Sequence, residues 1–254
     1  MARKIPAGWV PKQHGAWAMI IVPYVTGLLL AARLRPLEWS DATLGLTWLV
    51  GYFAFNAATL WLKAPARRRA SFQTPLITYL GISAVFGVAT LIQKGWPILI
   101  WVPPYAVVLG ISLWLAASKR ERSLLSGVLT VVASCGLMAV LRPWPADDPA
   151  RLPDLAVMAA VTLYFVGTVF HVKALIRERN DPHSARRSGI YHTAVLAALV
   201  AGIGLGWLTW PWSLWGVALV GRSFRMPRAP RRPLQIGLVE IALSTWALLL
   251  VLFA

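Results

Sequence analysis

The sequence predicts an all-α polytopic membrane protein of about nine transmembrane helices. Three observations carry that expectation. Hydrophobic residues make up 58% of the 254-residue chain and charged residues only 13%, against about 25% charged in a soluble domain. Apolar runs of about 20 residues, the length that crosses a bilayer, recur from end to end. The Lys and Arg residues gather in the short segments between those runs.

The spans fall at about 15–32, 42–62, 75–92, 97–117, 124–141, 154–176, 189–208, 209–226 and 234–254, forming one transmembrane domain over 1–254. The opening MARKIPAGWVPKQHGAWAM is basic, but no short apolar core with a small-residue cleavage site follows it, so span 1 is expected to be retained. Pro103-Pro104 offers a helix break in span 4. Span 8 has a short purely apolar part, Trp210 to Gly221. Gly202, Gly204, Gly206 and Pro211 suit a break between spans 7 and 8.

Charge supports the same count. Nine spans with an inner N-terminus put 20 Lys and Arg residues on the cytoplasmic side and five on the other. Removing span 8 would move the Arg222–Arg232 cluster across and spoil the asymmetry. The expected location is therefore the cell (inner) membrane, N-terminus inside and C-terminus outside. The net charge of +16 is read as topology, with no nucleic-acid partner. The lone Cys135 lies in an apolar run and cannot form an internal disulfide. Trp39, Trp96, Trp144, Trp210 and Trp212 fall at outer ends as an interfacial belt.

A faint internal echo has a period of 112 residues. Tyr52-Phe53 matches Tyr164-Phe165, Asn56 matches Thr168, Thr59 matches His171 and Arg67 matches Arg179. The two copies are offset by four spans, as in parallel repeats of four helices each.

Polar residues gather at four cytoplasmic span ends. Lys12-Gln13-His14 precedes span 1. Tyr52, Asn56, Thr59 and Lys63 share one face of span 2, before Arg67–Arg69. On span 6, Tyr164, Thr168, His171, Leu175 and Glu178 form a stripe, with Lys173, Arg177 and Arg179 beside it. Glu240 lies in span 9, where it would pair with a neighbouring cation or snorkel outward. His192, at the start of span 7, is placed to face the same region. Polar groups at membrane depth are costly and face a bundle interior or wet cavity. The first three groups are therefore expected to line one cytoplasm-facing basic pocket. Anchoring, interhelical hydrogen bonding and contacts to anionic headgroups are the plainer roles open to the same residues. The four histidines show no metal-binding spacing and there is no second cysteine.

The run Trp9-Val10-Pro11-Lys12-Gln13-His14-Gly15-Ala16-Trp17-Ala18-Met19, ahead of Pro23 and Gly27, resembles the opening signature of the YwiC-like membrane proteins. The run through Lys173, Arg177, Glu178 and Arg179 resembles the same family. That resemblance implies an architecture more than a reaction. More distantly, span count, orientation and loop positions resemble the UbiA superfamily of intramembrane prenyltransferases. That likeness implies a UbiA-like bundle with functional loops after helices 2 and 6. The motifs depart from it. Asn56 stands where an Asn-Asp pair would begin, but Ala57 and Leu60 replace the expected acids, and only Glu178 and Asp181 are acidic near span 6. Magnesium needs hard oxygen ligands, so the usual magnesium-dependent prenyl transfer is disfavoured and no cofactor is predicted.

The expected function is binding of an anionic or isoprenoid lipid, with or without its modification. Gln13, Tyr52, Asn56, Lys63, Arg67, Tyr164, Thr168, Lys173, Arg177 and Arg179 would bind it. His14 or His171 would act as acid/base with Glu178 orienting a histidine. An enzyme of this kind would be lipid or prenyl transferase-like. Two other classes stay open: a transporter of a small anion or metabolite, and a non-catalytic accessory membrane protein.

Overall fold

Each turn between helices carries proline, glycine or a charged cluster. A computed structural model describes residues 8–11, 16–121, 123–179, 181–228 and 232–253. Among these there are no strands. The α-helices are α1 (Ala16–Ala32), α2 (Trp39–Lys63), α3 (Ala66–Lys94), α4 (Val102–Ala117), α5 (Leu124–Leu141), α6 (Arg151–Val172), α7 (Pro182–Gly204), α8 (Pro211–Arg225) and α9 (Pro233–Leu252).

Among the described residues, six helices are long and apolar enough to cross a membrane: α2, α3, α4 with its preceding 3-10 turn, α5, α6 with the turn that follows it, and α9. From Trp17 on, α1 is shorter but equally apolar. The remaining two are the polar-ended α7 and the 15-residue α8. At 1.5 Å per residue α8 is roughly 22 Å long, short of a hydrocarbon core of about 30 Å.

Two boundaries differ from the sequence reading for a common reason. Helices α3 and α7 start at Ala66 and Pro182, several residues before their apolar runs. Backbone hydrogen bonding continues into the polar flank, so Arg67–Arg69 lie in a helical turn instead of a loop. Pro103 and Pro104 do not break span 4. They sit in the first turn of α4, where a missing N–H costs nothing.

The chain's contacts divide it into two compact units. The first contains α2, α3, α4 and α5 up to Ala133. Helices α2 and α3 form an antiparallel hairpin around Ala64-Pro65. Ser83 donates to the Thr47 carbonyl at 3.0 Å, Thr90 meets Thr43 at 2.9 Å, and Lys94 reaches Asp41 at 3.0 Å. Asp41 also takes both ends of Arg35, at 2.6 and 2.7 Å. That contact raises the Arg35 guanidinium above its ordinary value.

The second unit contains α1, the rest of α5, and α6 to α9. Its tightest joint is at Gly27 of α1, where a Cβ would lie 3.0 Å from the Met138 backbone and 2.7 Å from Leu141. A buried ion cluster ties the helix ends nearby. Asp154 in the first turn of α6 accepts Arg142 at 2.6 Å and Arg33 at 3.2 Å. Arg33 also donates to the Val251 carbonyl near the end of α9, and Arg142 lies 4.6 Å above the Trp144 ring. Helix α7 ends in a turn at Gly206, whose φ of 72° suits glycine. Gly202's carbonyl there accepts the amides of Trp207 and Leu208.

Trp39, Trp96, Trp144 and Trp210 are exposed, as an interfacial belt requires. Trp212 is not among them. It is fully buried, edge-on to Trp215 at 5.5 Å, because the spacing of three turns both onto the inner face of α8.

Candidate functional site

Tyr164, Thr168 and His171 lie at i, i+4 and i+7 of α6, so one face of an apolar helix carries all three polar groups. All three are buried, His171 completely. Helices α7, α8 and α9 bring Ser188, His192, Arg222 and Glu240 against them. One Glu240 carboxylate oxygen accepts the Thr168 hydroxyl at 2.9 Å and the Tyr164 hydroxyl at 3.1 Å. The other pairs with Arg222. Glu240 thus pairs with a neighbouring helix's cation, one of the two roles its sequence position allowed. Arg222 also lies 5.7 Å from the Tyr164 ring centroid.

Donor counting fixes the state of His192. Arg222 Nη2 lies 2.8 Å from His192 Nε2, and a guanidinium can only donate. His192 Nε2 therefore carries a lone pair. The ring proton is on Nδ1 and is donated to the Ser188 carbonyl at 2.7 Å. Ser188 Oγ lies 3.4 Å from His171 Nδ1, and the two imidazoles meet edge-on at 6.0 Å. Gly167 makes the room: a Cβ there would lie 2.8 Å from His192 Nε2 and 3.0 Å from Tyr191. Two atoms of the cluster, His171 Nε2 and Arg222 Nε, are buried with no hydrogen-bond partner among the described residues. Neutral Tyr and His groups surround one ion pair, so the cluster is close to electrically balanced.

Just beyond His171 the helix widens. Lys173–Arg177 is a π-helical turn, closed by the Glu178 amide donating to the Lys173 carbonyl at 2.9 Å. Such turns insert one residue and shift the phase of everything after them. The expected stripe therefore ends at His171, and Glu178 leaves it. Glu178 pairs with Lys173 at 2.7 Å and accepts the Ser184 hydroxyl. Lys173, and then Ser184, hold its carboxyl below the usual value. His171 has Ser188 as its neighbour in the role expected of Glu178. Asp181 caps α7 by accepting the His183 amide at 2.9 Å, which lowers its own carboxyl. Ile176, Arg177, Glu178, Arg179 and Asp181 line a shallow surface hollow of about 730 Å³.

The other expected ligand residues are distributed as follows. Gln13 and His14 lie outside the described residues. Tyr52, Asn56, Lys63 and Arg67 belong to the first unit. Tyr52 and Asn56 are half-buried on α2, and Arg67 is exposed. Lys63 forms an ion pair with Glu121 at 3.3 Å. Among the described residues, no group of three or more His, Cys, Asp or Glu could hold a metal.

Ser188 and Arg222 were not singled out from sequence as site residues. Arg222 opens the charged run that follows span 8, yet it continues the buried face of Trp212, Trp215 and Leu219 at helical spacing. A membrane-depth Glu240 calling for a cation was the signal pointing to it.

Residues 10–142 match the family model of YwiC-like proteins. The "Uncharacterized protein YwiC" of Bacillus subtilis (strain 168) is 33% identical over 207 residues, covering 78% of this chain and 79% of its own. The chain belongs to the YwiC-like family. An "Uncharacterized protein" of Haemophilus influenzae is 26% identical over 248 residues, covering 96% of this chain and 98% of its own. No solved structure matches the chain. The YwiC-like match stops at Arg142, so the buried cluster of α6 to α9 lies beyond it.

Proposed function

We propose that this YwiC-like membrane protein binds an anionic lipid or prenyl-type ligand at the basic end of α6. In this reading it lies in the inner membrane, N-terminus inside, with a UbiA-like helical arrangement and no aspartate-rich magnesium site. One observation supports the reading: a buried polar cluster, two of whose nitrogens have no partner among the described residues, precedes a π turn that ends at Arg177, with Arg179 two residues on. Arginines bind phosphate without a metal, in paired hydrogen bonds. Polar groups are kept at membrane depth, despite their cost, where they serve a ligand or ion.

Native mass spectrometry of the purified protein tests this reading. The expected result is a retained anionic lipid that is lost from Arg177→Ala/Arg179→Ala and weakened in His171→Ala. Equal lipid occupancy in all three proteins would overturn the reading.

A second reading is transport of a small anion or metabolite. The Arg222–Glu240 pair favours it, since paired charges inside membrane helices mark ion and substrate pathways. Proteoliposome uptake abolished by Glu240→Gln, with lipid retention unchanged, would select it.

A further inference from the structure

We propose that the ligand of this site carries an uncharged acceptor oxygen just inward of its anionic group, as the ester carbonyls of a glycerophospholipid do, and that His171 Nε2 and Arg222 Nε donate to it. The inference rests on the lipid-binding reading above and narrows it from anionic lipids in general to acyl-ester lipids.

Arg222 Nε is always a donor, and it is buried without an acceptor among the described residues. When the Ser188 hydroxyl donates a hydrogen bond to His171 Nδ1 across their 3.4 Å contact, the neutral ring carries its one proton on Nε2. That atom is then a second buried donor lacking an acceptor. Groups left unpaired in a dry interior are costly, more so than the average hydrogen bond is favourable. A ligand oxygen that satisfies either one is therefore strongly selected.

Charge narrows the class. Glu240 already neutralises Arg222, so a second anion this deep would lie unpaired in low dielectric, which is prohibitive. The inner acceptor must be neutral. A bare prenyl phosphate presents only hydrocarbon at this depth and would leave both nitrogens unmet. A diacyl lipid places ester carbonyls a few bonds from its phosphate. The depth is compatible with that. Arg177 follows His171 by six residues, at the far end of the π turn. Two contacts would have to part to admit the ester: Ser184–Glu178, which joins the end of α6 to α7, and the partly exposed Lys173–Glu178 pair within the end of α6.

The test compares three probes at equal concentration in detergent: diacyl phosphatidic acid, its dialkyl-ether analogue, and a prenyl phosphate of similar tail length. Binding is read by native mass spectrometry. The ether analogue keeps the phosphate and tails but lacks the carbonyls. Wild-type protein should favour the diacyl lipid over both others by roughly three- to tenfold, the worth of about one net hydrogen bond. His171→Phe should erase that preference while still binding all three. Arg177→Ala/Arg179→Ala should weaken all three and keep the preference. Equal binding of diacyl and ether lipids by wild type overturns this inference and leaves the lipid-binding reading standing. Binding of every probe that is equal in wild type and unchanged in the arginine variant overturns both. A preference for the prenyl phosphate overturns the inference and keeps the isoprenoid form of the reading.

Discussion

Glu240 satisfies both oxygens of its carboxylate without water: Arg222 takes one, and Thr168 and Tyr164 take the other. Removing a single member of such a buried pair leaves an uncompensated charge. Arg222→Ala and Glu240→Ala should each cost roughly 3–5 kcal/mol. The double change Arg222→Met/Glu240→Leu, which removes both charges and keeps volume, should recover most of that loss. Thermal or denaturant unfolding in detergent measures the cycle. A double variant as unstable as the sum of the singles would show that no coupling exists. The cluster also explains why His192 follows Gly167 so closely. The ring must stay flat against α6 to accept from Arg222, and any side chain at 167 would displace it.

Helices in the second unit approach each other through glycines, each pressed against a different kind of neighbour. At Gly27 the obstruction includes the backbone of α5, which cannot rotate away. At Gly189 and Gly216 it is the rings or methyls of Phe224, Leu196 and Leu199, which are able to move. Gly81, in the middle of α3, meets nothing within 4 Å. Gly27→Ala should therefore destabilise by about 1–3 kcal/mol, as overpacking does. Gly81→Ala should stabilise by up to about 1 kcal/mol, the helix-propensity difference between the two residues. Comparing the melting of both variants with the parent checks the signs. Equal effects would mean that the α1–α5 joint is looser than its geometry. The π turn after α6 belongs to this scale as well, since one inserted residue moves Glu178 off the buried face and onto Lys173.

Helices α2 and α6 each carry an acid in the first turn, Asp41 and Asp154, and run into a base, Lys63 and Arg177. The proposed orientation puts Lys119 inside and Asp147 outside. Cys135 is the chain's single cysteine and is buried, so in a Cys135→Ser background a cysteine at 119 should react with an impermeant thiol reagent only in broken cells. A cysteine at 147 should react in intact ones. The opposite pattern would invert the topology and move the basic end to the far side of the membrane. The period of 112 residues seen in the sequence also separates the starts of α2 at Trp39 and α6 at Arg151, and these helices fall in different units.

Hydropathy and helical period by themselves determined the all-helical membrane class, the extent of α5 to the residue, the break at Gly202–Gly206, and the polar face of Tyr164, Thr168 and His171. These features depend on local backbone hydrogen bonding and on transfer of side chains from water, which neighbours along the chain decide. Only the tertiary structure decided that Arg222 is a buried partner instead of a surface charge, that Trp212 is core, that Lys63 and Lys173 are ion-paired, and that Glu178 turns away from His171. Each of those depends on which residue of a distant helix arrives within hydrogen-bonding reach, or on a single inserted residue that shifts a helix's phase, and neither leaves a periodic mark in the sequence.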